Sequence, residues 1–206
     1  MKTIVYIDGQ NFLYGVAERL FNAGIINDKQ EVSAVDIPFL MERALPGCDM
    51  EIRYYGVTSI QQQTDYGQEV YERSLRYEEN LRRLQACLSR TGVHYCAVGN
   101  LKVRAHYKCK QCGAEEYKYL EKGVDVGIAV DITKDVLEQN TDHVVLLSSD
   151  ADLTPALQIV RGRHVKLTYV TFSVQSTKIL ALQANDTIIL RDEDVMEAYA
   201  RAIREQ

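Results

Sequence analysis

Residues 2–8, KTIVYID, form a nearly continuous β-branched apolar run that stops on an aspartate. So short an apolar run, followed at once by a helical pattern, reads as a strand buried on both faces, and such strands belong to parallel sheets covered by helices. Further strand patterns follow at 50–57 (MEIRYYGV), 93–98, 143–147 (HVVLL), 164–170 and 187–190. Between them lie helical patterns. One covers 11–23, and another covers 36–43, with Asp36 able to cap it and Pro38 tolerated in the first turn. Over 64–90 the residues Val70, Tyr77, Leu81, Leu84 and Leu88 recur at helical steps, and over 124–140 Val124, Ile128, Ile132 and Val136 stand four apart. Shorter helices are predicted at 153–161 and 175–182, and a terminal one after Asp192. Strands alternating with helices predict an α/β chain: a parallel sheet with helices on both faces. We expect one domain over 1–190, with a C-terminal helix over 191–206.

Composition narrows the function classes. The chain has 206 residues, 46% hydrophobic and 26% charged, with only 3 Pro and 12 Gly, which excludes disordered and collagen-like sequences. Its net charge of -5 argues against a generally basic nucleic-acid coat or a membrane-surface protein, so any anion-binding patch must be local. No run reaches the ~18 apolar residues of a membrane span. The 5 cysteines are an odd set in a chain with enough residues for a core of its own, so no disulfide framework is implied. A soluble protein of the reducing cytoplasm, without a membrane partner, is the expectation.

The carboxylates at the strand ends carry the chemistry. Asp8 stands where the first strand stops, and Asp150 and Asp152 follow the strand HVVLLSS. Carboxyl ends of parallel strands share one edge of a sheet, and in doubly wound sheets ligands bind outside that edge where the strand order reverses. If the two strands are neighbours, Asp8 and Asp150 face each other, and Asp125, at the start of a helix, supplies a third corner. Carboxylates brought together raise one another's pKa unless a cation relieves them. Mg²⁺ takes oxygen ligands of this kind together with substrate phosphates, and the matching chemistry is metal-assisted phosphodiester hydrolysis. Read singly, each aspartate is an ordinary helix cap or first-turn charge. Asp131 lies about 120° around the helix from Asp125 and is left outside the site.

Three motifs, Asp8-Gly9-Gln10-Asn11 after a strand, Glu121-Lys122-Gly123-Val124-Asp125-Val126 opening a helix, and Ser148-Ser149-Asp150-Ala151-Asp152-Leu153 ending a strand, resemble those of the NYN domain, in the LabA-like branch of the PIN-like nuclease superfamily. The resemblance spans roughly residues 1–170. It implies a Rossmann-like (PIN-like) fold and a nuclease, usually directed at RNA, that depends on Mg²⁺ or Mn²⁺. By motif matching, Asp8, Asp125 and Asp150 would carry the metal, with Asp152 a further acidic member. Asn11 would orient a ligand or water, and Ser148 would support the last loop by a hydrogen bond. The sequence departs from the family at Ser149, where Gly is common and would admit positive φ.

Residues 101–120 break the alternation and read as an inserted β-hairpin. Lys102, Arg104, His106, Lys108 and Lys110 alternate with other residues, which in an extended strand puts them on one face. Over residues 101–122, 6 Lys and Arg stand against 3 Glu, a local positive excess suited to a phosphodiester backbone. With Lys122, Lys102, Arg104 and Lys108 are candidates for RNA contact, and Tyr107, Tyr117 and Tyr119 for stacking on bases. A lysine-guarded edge strand is the structural alternative. Cys109-x-x-Cys112 resembles half a zinc knuckle. A structural Zn²⁺ needs four ligands, so His94, Cys96, His106 or a second chain in a homodimer would have to complete it. A redox pair and two plain thiols are the other readings. Cys48 and Cys87 read as small buried apolar residues, and His143 and His164 as structural.

Walker-type, dinucleotide and nucleophile-elbow motifs are absent from the sequence. A metal-dependent ribonuclease is therefore the leading reading. A regulatory module that binds RNA or protein without cutting is the alternative. A haloacid-dehalogenase-like phosphohydrolase is weaker, because Gln10 stands where such enzymes need a second aspartate.

Overall fold

The computed structural model describes residues 2–29, 32–60, 67–108 and 115–204, with the backbone alone at 59–60, 104–108, 115–116 and 118. Every residue of β1 (Thr3–Asp8) is buried, as its apolar run requires. It leads into α1 (Gly9–Asn22) and α2 (Ile37–Ala44), which Asp36 caps by accepting from the Phe39 N–H at 3.0 Å. Then come β2 (Met50–Ile60), α3 (Gln68–Arg90), β3 (His94–Lys108), β4 (Glu115–Lys122) and α4 (Val124–Leu137). The chain continues through β5 (His143–Leu147), a 3-10 turn at Ala151–Leu153, α5 (Thr154–Gly162), β6 (Lys166–Phe172), α6 (Lys178–Ala181), β7 (Asp186–Leu190) and α7 (Asp192–Arg204).

The strands form one sheet in the order β4-β3-β2-β1-β5-β6-β7. Every neighbouring pair is parallel except β3 with β4. From β1 the chain winds outward through β2 and β3, then crosses back to β5 and winds the other way. The order reverses between β1 and β5, the place where doubly wound sheets open a crevice.

The pleat of β1 divides the core. Val5 and Ile7 pack with Phe12, Leu20, Leu40, Leu88 and Val195, from α1, α2, α3 and α7. Ile4 and Tyr6 point the other way, toward Val124, Ile128 and Ile132 of α4 and Leu157 and Val160 of α5. The sheet is therefore covered on both faces, and α4 buries the stripe its four-residue spacing predicts. The terminal helix belongs to the same body: the Asp36 N–H donates to the Ala198 carbonyl at 3.1 Å and Arg201 Nε pairs with Asp36 at 2.8 Å. Among the described residues no helix is long and apolar enough to cross a membrane.

Three expectations need correction. The strand predicted at 93–98 and the first arm of the hairpin are one continuous strand, β3. The physical reason is that β2 runs on to Ile60 and pairs it with Leu101, so the polar segment stays in the ladder as an extension of the sheet edge. A register shift between Ala105 and Tyr107 also interrupts the two-residue alternation of the basic track. Cys87 is buried as expected, but Cys48 is only partly so, because it lies in the turn between α2 and β2.

Gly9 shows how closely α1 meets the sheet. The Tyr54 hydroxyl donates to its carbonyl at 2.9 Å, and a Cβ there would collide with the Tyr54 ring and come within 2.5 Å of the Tyr55 carbonyl oxygen. Gly9→Ala should therefore cost about 1–3 kcal/mol through overpacking. Urea unfolding should show a lower midpoint with an unchanged slope; an unmoved midpoint would mean that α1 has room to shift.

Candidate active site at the sheet switch point

Asp8 ends β1 and is 1% exposed. A buried carboxylate must be hydrogen-bonded to be tolerated, and this one accepts three donors. They are the Asn11 N–H at 3.1 Å, the Asn11 side-chain amide, and the Ser148 hydroxyl at 3.0 Å. The first caps α1 and the last comes from the end of β5, so one side chain joins both strands flanking the reversal.

The loop after β5 is organised by the same contacts. Ser148 Oγ accepts from the Asp150 N–H at 3.1 Å while donating to Asp8. Asp150 then caps the 3-10 turn, accepting from the Asp152 N–H at 2.8 Å. The Ser149 hydroxyl donates to the Asn11 side-chain carbonyl, and its backbone carbonyl accepts from Thr177 Oγ1 at 2.8 Å. Ser149 does not have positive φ, so this chain builds the loop without the glycine common in the family and uses the hydroxyl to steady Asn11. Gln175, whose side-chain amide donates to the Asn11 carbonyl at 3.4 Å, adds a support from beyond β6.

Asp125 enters from the opposite side. Gly123, at φ 96°, turns the chain from β4 into α4 in a conformation that favours glycine, leaving Asp125 in the first helical turn. Burial first, then the charges of Asp150 and Asp8, push the Asp125 carboxyl up to about 6. Glu121, at the end of β4, is pushed up to about 7 by burial and by Asp8 and Asp125. Asp8, Asp125, Asp150 and Glu121 thus share one electrostatic field. Other buried acids are neutralised locally: Asp135 pairs with Arg53 at 2.6 Å and Asp36 with Arg201. Among the described residues Asp8, Asp125, Asp150 and Asp152 make no ion pair.

The donor chemistry, hard oxygens with unrelieved mutual repulsion, suits a divalent cation. Their present spacing does not cage one: among the described residues no group of three or more His, Cys, Asp or Glu side chains is placed to hold a metal ion. Asp8 and one oxygen of Asp150 accept hydrogen bonds from neighbouring groups in this arrangement. Asp131 stands apart as expected, accepting from the Tyr55 hydroxyl at 2.8 Å.

Lys102 and Lys122 are exposed on the edge pair β3–β4. The side chains of Arg104, His106 and Lys108, and all of Cys109 and Cys112, lie outside the described residues. Sequence reasoning quoted Glu121 within a motif without assigning it to the site. Its position two residues before the Gly123 turn was the available signal.

The NYN domain family matches residues 2–191 of the chain. The chain is 26% identical over 178 residues to 6-hydroxy-3-succinoylpyridine 3-monooxygenase HspA of Pseudomonas putida, a similarity covering 79% of this chain and 56% of that protein. It thus spans about half the length of that curated relative. Its fold is similar to that of a protein of unknown function from Vibrio parahaemolyticus, with a TM-score of 0.56 and 17% identity over 93% of this chain and 94% of the other.

The raised acids have a pH consequence. Glu121 in the folded protein holds its proton up to about 7, above its ordinary 4.5, so folding gains from the neutral form at low pH and loses that gain as pH rises through about 7. Glu121→Gln removes this penalty. The melting temperature of the variant relative to the parent should therefore rise between pH 4.5 and 8; a difference that stays flat would show that burial and the neighbouring acids do not raise Glu121 in the folded protein.

Proposed function

The chain belongs to the NYN domain family, and from that premise we propose that it is a metal-dependent ribonuclease whose acidic site is built by Asp8, Asp125 and Asp150. The family's nuclease-like character supports the reaction class. The observation that carries the assignment to these residues is the shared field at the switch point. Asp125 is raised to about 6 by Asp150 and Asp8 beside burial, and no cationic side chain among the described residues offsets it. The narrower placement in the LabA-like branch rests on the three sequence motifs alone. The monooxygenase activity named for the Pseudomonas putida relative is said of that longer protein.

Asp8, Asp125 and Asp150 would hold Mg²⁺ or Mn²⁺, which when bound would offset charge developing on the scissile phosphate and acidify a water. The remaining roles belong to the chain itself. Asn11, fixed by Ser149 and by Asp8, would present its amide to water or phosphate at the mouth of the site. Ser148 holds the Asp150 loop against Asp8, keeping the two carboxylates in register. Asp125, held in the first turn of α4, would complete the ligand set beside Asp8 and Asp150. Asp152, exposed within the 3-10 turn, would extend the acidic edge. Lys102 and Lys122 would meet the phosphates of RNA, together with Arg104 and Lys108.

Asp150→Asn should abolish most cleavage of a labelled single-stranded RNA in Mn²⁺, at least ~100-fold, while circular dichroism and melting report a folded chain. Asp8→Asn should lose cleavage too, with a lowered melting temperature, because its amide would face the Asn11 and Ser148 donors. Asn also caps helices well, so the Asp150 variant should retain its turn. Cleavage at the parental rate by both folded variants would remove these residues from the chemistry. Metal- and salt-dependent RNA binding without shortening of the strand would favour the regulatory module instead.

A further inference from the structure

Beside the acidic edge lies a cleft of about 320 Å³ between α1, α3 and the end of β2. Its size falls in the range of small-ligand pockets, ~300–1,000 Å³. The floor is aromatic. Tyr54 and Tyr95 stack with centroids 5.9 Å apart, and both hydroxyls are already engaged, Tyr54 with the Gly9 carbonyl and Tyr95 with the Val57 carbonyl at 2.8 Å. Tyr54 is buried beneath the floor and Tyr95 is half-buried, so the Tyr95 ring is the one that offers apolar area, without unmet polar demand. On the walls stand Tyr14 of α1, 53% exposed, and Tyr77 of α3, whose ring lies against Tyr119 at 4.9 Å.

The cations are on the same side. Arg73 lies 5.8 Å from the centre of the Tyr77 ring, and Arg76 is exposed one turn along the helix from it. Neither makes an ion pair among the described residues, whereas Arg82 and Arg83 further along α3 are paired with Glu78 and Glu79. Two uncompensated guanidiniums at the rim of an aromatic cleft are notable in a chain of net charge -5. The cleft is also continuous with the acidic edge, since Gly9 and Glu121 line it. Gly9 follows Asp8 directly in the chain.

We propose that this cleft is a subsite for one unpaired nucleobase of an RNA strand, with Tyr77 and the aromatic floor taking the base and Arg73 and Arg76 taking the phosphate next to it, so that a neighbouring phosphodiester is delivered to the acidic edge. The proposal rests on the ribonuclease reading for the identity of the strand. Aromatic rings take any base by its face, and arginine takes phosphate by its planar fork, so the subsite selects for single-stranded character rather than sequence. It accounts for both kinds of residue in one cleft, which a plain apolar cavity would not.

The test is fluorescence anisotropy with a 5′-labelled single-stranded RNA hexamer in EDTA, so that binding is read without cutting. Tyr77→Ala and Arg76→Glu should each weaken binding about tenfold. Tyr77→Phe, which keeps the ring, should bind as the parent does, and it separates loss of stacking from loss of fold. Hexamers carrying one abasic position at a time supply the second reading: one position should weaken binding to the parent and should make no difference to Tyr77→Ala. Equal binding of all abasic hexamers to the parent, or parental affinity in both Tyr77→Ala and Arg76→Glu, would overturn the subsite. Cleavage in Mn²⁺ is scored separately. An abasic signature without cleavage would sink the nuclease reading and leave the subsite, whereas cleavage without that signature would do the reverse.

Discussion

The structure around the site depends on keeping one buried carboxylate satisfied. Asp8 is almost wholly withdrawn from water at the end of a strand buried along its whole length, and its oxygens are met by donors from α1 and from the end of β5. Removing a charge from water without partners would cost several kcal/mol. Those hydrogen bonds therefore do more than cap a helix: they require β1, α1 and the Ser148 loop to occupy their places together. The doubly wound order brings the loop there, because β1 and β5 are neighbours at the point of reversal.

Around Asp8 charge is distributed unevenly. Elsewhere in the molecule buried acids have arginine partners, as Asp135 has Arg53. At the switch point the acids face one another, and the result is visible in the raised carboxyls of Asp125 and Glu121. Such an arrangement stores electrostatic free energy that a cation or a proton can release, and strongly perturbed acids in a crevice commonly mark functional sites. The neighbouring cleft has the opposite character, with tyrosines and uncompensated arginines. The proposed strand of unpaired nucleotides complements the cleft, its phosphates drawn to the arginines and its bases to the rings, whereas the acidic edge would accept a phosphate only with a cation between them.

Much of this was legible along the chain, for reasons that can be named. KTIVYID is too uniformly apolar for anything but a covered strand, and the four-residue spacing of Val124, Ile128 and Ile132 left one orientation for α4. Asp8 and Asp150 could be placed at one edge from strand direction alone, and Asp125 offered itself as a third corner from its place at the start of a helix. Other features were out of reach. That β3 runs unbroken from His94 to Lys108 depends on the length of β2, which supplies its backbone partners. The contribution of Glu121 depends on how far Asp8 and Asp125 project their charge across the crevice. Ser149 looked like a departure, and only the position of Asn11 gave its hydroxyl a use.

Burial period and strand direction are local properties of the chain, so the alternation of covered strands and amphipathic helices, and the edge on which Asp8 and Asp150 stand, can be read residue by residue. Which strands neighbour each other and which carboxylates feel one another came from the packing of the folded chain. The aromatic cleft between α1, α3 and β2 came from it as well. Those outcomes follow from packing and electrostatics between segments far apart in sequence, which no local pattern along the chain records.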